Sequence, residues 1–166
     1  MVYIIGLLLF GILAIIQSTI VSTMPLLKGT ADLFLLFIVA WALQDRVETA
    51  WQWCLIGGLL ASIYSGLPFG IFIIAYLLSV AIARLIKRRI WKAPFLAMLA
   101  TIFISTVLVQ VISLISRLIT GVNIPVIDML NLILLPSLLL NLILAIPVFS
   151  IMRDMASWLY PEELEA

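Results

Sequence analysis

Six long apolar stretches, each closed by a small group of charged or turn-forming residues, take up almost the whole chain. Hydrophobic residues make up 66% of the sequence and charged ones 10%, against about 45–50% and about 25% in an ordinary soluble domain. So little polar surface cannot coat a folded chain in water. In a bilayer every backbone N–H and C=O must pair internally, which leaves helices or a closed barrel. Barrel strands alternate apolar and polar residues, whereas Ile71 to Ile82 and Leu132 to Ile151 are apolar on every face. The sequence therefore predicts an all-α integral membrane protein, a single bundle of six transmembrane helices filling the 166 residues, since each crossing needs about 20 residues.

The crossings are expected at roughly 3–22, 30–44, 49–64, 69–86, 94–116 and 127–152, with 153–166 as a short tail that includes Glu162, Glu163 and Glu165. Val2 to Ile20 lacks the basic start and small-residue cleavage site of a removable signal and reads as a retained first span. A turn at Met24, Pro25 and Gly29 follows it. Thr30 is the expected N-cap of the second helix, with Asp32 in its first turn facing the positive end of the helix dipole. That span is short unless residues from Leu26 onward also lie in the membrane. Trp51 and Trp53 open the third span, where interfacial indoles commonly sit. Ser65, Gly66, Pro68 and Gly70 form a tight uncharged turn. Pro125 and Asp128 mark the start of the sixth span.

Orientation follows from the basic residues. With six crossings both termini share a side, and that side receives Arg46, Arg153 and the cluster Arg84, Lys87, Arg88, Arg89 and Lys92, against Lys28 and Arg117 opposite. The positive-inside bias puts both termini in the cytoplasm. Asp32, the Ser65–Gly70 turn and Asp128 then face outward. The cluster itself reads as an anchor at the anionic membrane surface.

Function classes narrow by what the chain lacks. No histidine is present, and the single cysteine, Cys54, sits in an apolar run, so no metal site, cofactor or internal disulfide is expected. No span centre carries an ionisable residue, which removes the parts of a proton relay or ion path. No nucleophile, acid and base can be assembled, and Gly57 with Gly58 is not a phosphate-binding loop. Neither an enzyme nor a nucleic-acid binder is indicated. The polar residues at depth are neutral: Gln17, Ser18, Thr19, Gln110, Ser113, Asn131 and Asn141. They read first as hydrogen-bonding glue between helices, and second as a ligand pocket. Small residues recur every four positions, Ala75, Ser79 and Ala83 on one span and Ala97, Thr101 and Ser105 on the next, allowing close packing inside the chain or against a partner helix. Asp32 and Asp128 read as residues complementing helix dipoles.

Several segments, in order, resemble the MreD family of rod shape-determining membrane proteins. They are Leu13 to Thr19 with Gln17, Ser18 and Thr19; Ala31, Asp32 and Leu33; Gly57 and Gly58 with the Ser65, Gly66, Pro68, Gly70 turn; Arg84 with the basic cluster; and Leu135, Pro136 and Ser137 with Asn141 and Pro147. One departure is Ser62, where the family often has an acidic residue, so no role of that carboxylate carries over. The resemblance implies a non-enzymatic subunit of the bacterial cytoplasmic membrane that binds MreC. It also implies work with RodA and a class B penicillin-binding protein in lateral peptidoglycan synthesis, and MreB on the cytoplasmic face. Lipid-facing small-residue stripes and the outward turn would hold the MreC helix, with Gln17, Asp32 and Asn141 as further motif positions. The family is similar in fold to the S components of energy-coupling-factor transporters. That likeness supplies an alternative function, vitamin binding in an outer pocket of Asp32, Gln17 and Asn141.

Overall fold

The computed structural model describes residues 2–19, 26–45, 47–90, 92–121 and 125–161. The expected turn at Met24 and Pro25, the end of the first span near Ser22, Arg46, and the acidic tail with Glu162, Glu163 and Glu165 lie outside the described residues. Within them the chain is helical: α1 (Val2–Thr19), α2 (Leu33–Ala42), α3 (Ala50–Tyr64), α4 (Ile71–Arg89), α5 (Pro94–Ile119) and the short α6 (Val126–Asp128). A π-helical stretch (Met129–Leu134) then runs into α7 (Leu135–Leu159). Among the described residues two continuous helices are long and apolar enough to cross a bilayer, Pro94–Ile119 and Met129–Leu159.

The centre of the bundle is α2. Its sequence, LFLLFIVAWA, has no polar face, and all ten residues are buried. A helix that is apolar all round must be covered all round, and α2 touches α1, α3, α4, α5 and α7. Trp53 from α3 stacks on Trp41 from α2 with ring centres 4.2 Å apart, and Phe10 of α1 meets Trp53 edge-on at 5.8 Å. The placement of Trp53 at the membrane interface is thus corrected. It is fully buried, because the α3 face that carries it with Cys54, Gly57 and Gly58 turns inward. Trp51, two positions earlier, stays on the surface, with the Arg84 guanidinium 5.5 Å from its ring centre.

Outside, the polarity is inverted relative to a water-soluble protein. Ile4, Leu7, Leu8, Ile12 and Ile15 on α1, and Ile143, Ile146 and Ile151 on α7, are all more than half exposed. Apolar surface on that scale is stable only against lipid or another protein. The small-residue stripes do not belong to it. Ala75, Ser79 and Ala83, like Ala97, Thr101 and Ser105, are buried within the chain, on the two helices that contact each other most extensively. The expectation that these stripes face lipid is corrected: small side chains let α4 and α5 approach within this bundle.

At the end where α2 stops, two members of the basic cluster tie down the following linker. Lys87 donates to the carbonyl of Gln44 and lies 3.5 Å from the Asp45 carboxylate, while Arg84 donates to the carbonyl of Glu48 at 3.2 Å. Burial pushes the Lys87 ammonium below its ordinary pKa, against the opposing pull of Asp45. Arg88, Arg89 and Lys92 are exposed around this end.

Candidate functional site

The opposite end carries the site, and it is built on a proline. In an α-helix Pro136 would have donated its N–H to the carbonyl of Leu132, but proline has no N–H. The backbone ahead of it widens into the π-helical stretch, where Leu135 donates to Leu130. The carbonyl of Leu132 takes the N–H of Lys28 instead, at 3.0 Å. Lys28 belongs to a tight turn, Leu26 to Gly29, closed by reciprocal backbone bonds of 2.9 Å.

From that turn the chain runs on, extended at Asp32, along α7. The N–H of Thr30 donates to Ser137 Oγ at 3.1 Å, and the N–H of Asp32 donates to Asn141 Oδ1 at 2.8 Å. Leu132, Ser137 and Asn141 thus serve the amides of residues 28, 30 and 32 in turn, an advance of about 13 Å along the helix at about 1.5 Å per residue. The backbone of residues 31 and 33 bonds to α1. Gln17 donates from Nε2 to the carbonyl of Ala31 at 2.8 Å and accepts the N–H of Leu33 at Oε1, 3.0 Å away. One glutamine therefore bonds to backbone on both sides of Asp32, as a neighbouring strand would.

Asp32 ends the extended segment and begins α2. Its Oδ1 accepts the Leu35 N–H at 3.0 Å, so Asp32 and not Thr30 is the N-cap, which corrects the expected helix start by two residues. Tyr76 of α4 donates its hydroxyl to the same carboxylate, 2.8 Å from either oxygen. Asn141 Nδ2 donates to Thr106 Oγ1 on α5 at 3.0 Å. Gln17, Asp32 and Asn141, three residues far apart in sequence, are therefore brought together. Their work differs from glue between two helices: Gln17 and Asn141 satisfy backbone that no helix satisfies. Tyr76, Thr106 and Ser137 complete the set. Of these Tyr76 was visible in the sequence as the one hydroxyl-bearing aromatic in the run Ile71 to Leu78, while Thr106 carried no distinguishing signal.

A cavity of about 420 Å³ opens beside this network, lined by Asp32, Gln17, Tyr76, Gln110, Ser113 and Arg117 among others. Asn141 lies behind the wall and does not line it, so the expected outer pocket of Asp32, Gln17 and Asn141 loses its third member. Ser65 also borders the cavity, and Gly66 and Gly70 in the same turn have φ of 60° and 94°. A side chain at either glycine would meet open space, so the constraint there is the left-handed backbone alone, about 1–2 kcal/mol for any residue with a Cβ. Gly70→Ala should lower the thermal midpoint by roughly 2–8 °C, taking about 2–4 °C per kcal/mol for a chain of this length. Gly70→Asn, better tolerated at positive φ, should recover part of that loss.

This architecture is that of a membrane-associated helical bundle with an apolar exterior, whose interior polar side chains bind its own backbone. The chain belongs to the MreD family, described as rod shape-determining protein MreD, which it matches over residues 1–156. The family is one of shape-determining structural proteins, which sets the role of this chain in rod-shape determination. No curated protein and no solved structure matches the chain.

Proposed function

We propose that this protein is a six-crossing scaffold of the cell-elongation machinery in the bacterial cytoplasmic membrane. With both termini cytoplasmic, it holds the transmembrane helix of MreC and so positions lateral peptidoglycan synthesis. The supporting observation is that Gln17, Ser137 and Asn141 all bond to the chain's own main chain. Polar side chains used in this way make a rigid, positional device. The length of the second crossing fits as well. Ten helical residues rise only about 15 Å, half of a hydrocarbon core of about 30 Å, and the extended lead-in supplies the other half. Irregular backbone at membrane depth is tolerated only where protein covers it, and α1 and α7 do so here.

Orientation is supported by the grouping of Gln44, Asp45, Lys87 and Arg153 at one end and of Lys28, Arg117 and the Ser65–Gly70 turn at the other. With the α4 stripe buried, MreC has the apolar exterior and the outward turn to bind. RodA, a class B penicillin-binding protein and MreB are reached directly or through MreC. MreC should copurify with this chain after gentle detergent extraction, and deletion should abolish control of cell width. A bundle that never retains MreC would overturn the reading. A reporter fused at Ala166 should be active only if it works in the cytoplasm. The alternative, a vitamin-binding subunit of an energy-coupling-factor transporter, draws on the cavity beside Asp32. It predicts a vitamin retained through purification, detectable by native mass spectrometry.

A further inference from the structure

The cavity beside Asp32 sets charged and polar side chains among apolar ones, and its size falls within the range of about 300–1,000 Å³ typical of small-molecule sites. A cavity with charged and polar groups in its wall is filled by water or by a polar ligand. What fills the space is constrained by how the charges are sorted. Asp32 is half-buried and Tyr76 is buried, so they form the inner wall, whereas Lys28 and Arg117 are exposed and border the mouth. Phe72 lines the cavity too and meets the Tyr76 ring edge-on at 5.5 Å.

Each half selects a chemistry. A carboxylate offers about four acceptor sites, more than the Leu35 and Phe34 amides and the Tyr76 hydroxyl occupy. A carboxylate beside aromatic faces is a site for an ammonium group. Lysine and arginine at the mouth suit a phosphate, which arginine can hold by two parallel bonds. A plain anion would face Asp32 on entering, and a plain cation would have to pass Lys28 and Arg117. A group carrying both charges, ammonium inward and phosphate outward, meets favourable partners at each end.

We propose that the outward cavity binds a zwitterionic amino-phosphate group of the phosphoethanolamine class, with its ammonium at Asp32 and its phosphate between Lys28 and Arg117. The proposal does not depend on the partner reading above, since it concerns a ligand and not MreC. Such a group is available from a phosphatidylethanolamine headgroup or as the free compound, and one experiment separates the two.

The full chain, purified in detergent, is titrated with phosphatidylethanolamine, phosphatidylglycerol and free phosphoethanolamine, and occupancy is read by native mass spectrometry. Phosphatidylethanolamine should bind about tenfold or more tighter than phosphatidylglycerol, as one charge-assisted contact allows. Asp32→Asn, which keeps an acceptor for the Leu35 amide, and Arg117→Gln, at the exposed mouth, should each weaken it by a similar factor. Displacement of the lipid by phosphoethanolamine would assign recognition to the headgroup alone. Lipid binding that resists displacement would assign it to the membrane lipid. Absence of any adduct, equal binding of the two lipids, or an unchanged affinity in Arg117→Gln overturns the proposal. Should Asp32→Asn not fold, the lipid ratio and Arg117→Gln still decide it.

Discussion

Gly29→Ala is expected to lower the thermal midpoint of the purified protein by roughly 6–12 °C, out of proportion to the one methyl group it adds. A Cβ built on Gly29 would lie 2.6 Å from the carbonyl oxygen of Ile133 and 2.7 Å from the amide nitrogen of Ser137. Both are backbone atoms of the helix against which the extended segment is docked, so neither can swing aside as a side-chain tip would. The segment must lift from α7, and lifting it endangers the bonds from Lys28 to Leu132 and from Thr30 to Ser137 together. Overpacking alone typically costs about 1–3 kcal/mol, and each backbone amide left unpaired adds about 1–3 kcal/mol. A total of about 3 kcal/mol, at about 2–4 °C per kcal/mol for this length, gives the expected range. Gly11 supplies the control. A Cβ there meets nothing within 4 Å, and glycine in a helix interior is about 0.5–1 kcal/mol worse than alanine, so Gly11→Ala should hold or raise the midpoint. Equal midpoints for Gly29→Ala and wild type would show that the segment is not seated on α7.

Most of the helical plan was legible because apolar runs broken by Pro, Gly and charge leave few choices in a bilayer. The Ser65–Gly70 turn and the start of α5 at Pro94 illustrate this. The shortness of the second span was legible, but the extended form of its lead-in was not. Residues 28–32 contain no breaker between Gly29 and Leu33, and periodicity cannot tell an extended lead-in from a first helical turn. That information lies in residues more than a hundred positions away, in Pro136, which frees a carbonyl, and in Ser137 and Asn141, which accept amides. Gln17 and Asn141 stood out as polar groups at depth, but assigning them to helix–helix bonds presumed that every helix had already satisfied its own backbone. Trp53 was misplaced for a related reason. An indole near the start of a span is interfacial only when its face turns outward, and facing is decided here by the stack on Trp41.

The contribution of Asn141 separates these two descriptions quantitatively. Its Nδ2 bond to Thr106 joins two helices, and such bonds in bilayers average only about 0.6 kcal/mol, since the unfolded chain in the membrane finds other partners. Its Oδ1 bond from the Asp32 amide is of another kind. Without it a backbone N–H at the start of α2 is buried with no helical acceptor, a penalty of about 1–3 kcal/mol in protein and several kcal/mol in hydrocarbon. Asn141→Leu, similar in size but removing both bonds, should therefore cost about 3 kcal/mol and lower the midpoint by roughly 6–12 °C. Thr106→Val, which removes only the helix-to-helix partner, should cost under about 1 kcal/mol. Asn141→Asp keeps the acceptor for the Asp32 amide but brings a second carboxylate close to Asp32. Its midpoint should fall between the two at low pH, where the new carboxyl is neutral, and drop further as pH rises and that group ionises beside its neighbour. If Thr106→Val and Asn141→Leu prove equally mild, Asn141 is ordinary glue between helices and the lead-in to α2 does not depend on borrowed acceptors. The expected inequality would instead locate the rigidity of this bundle in two amides, Gln17 and Asn141, that let an extended chain pack beside the α2 cap.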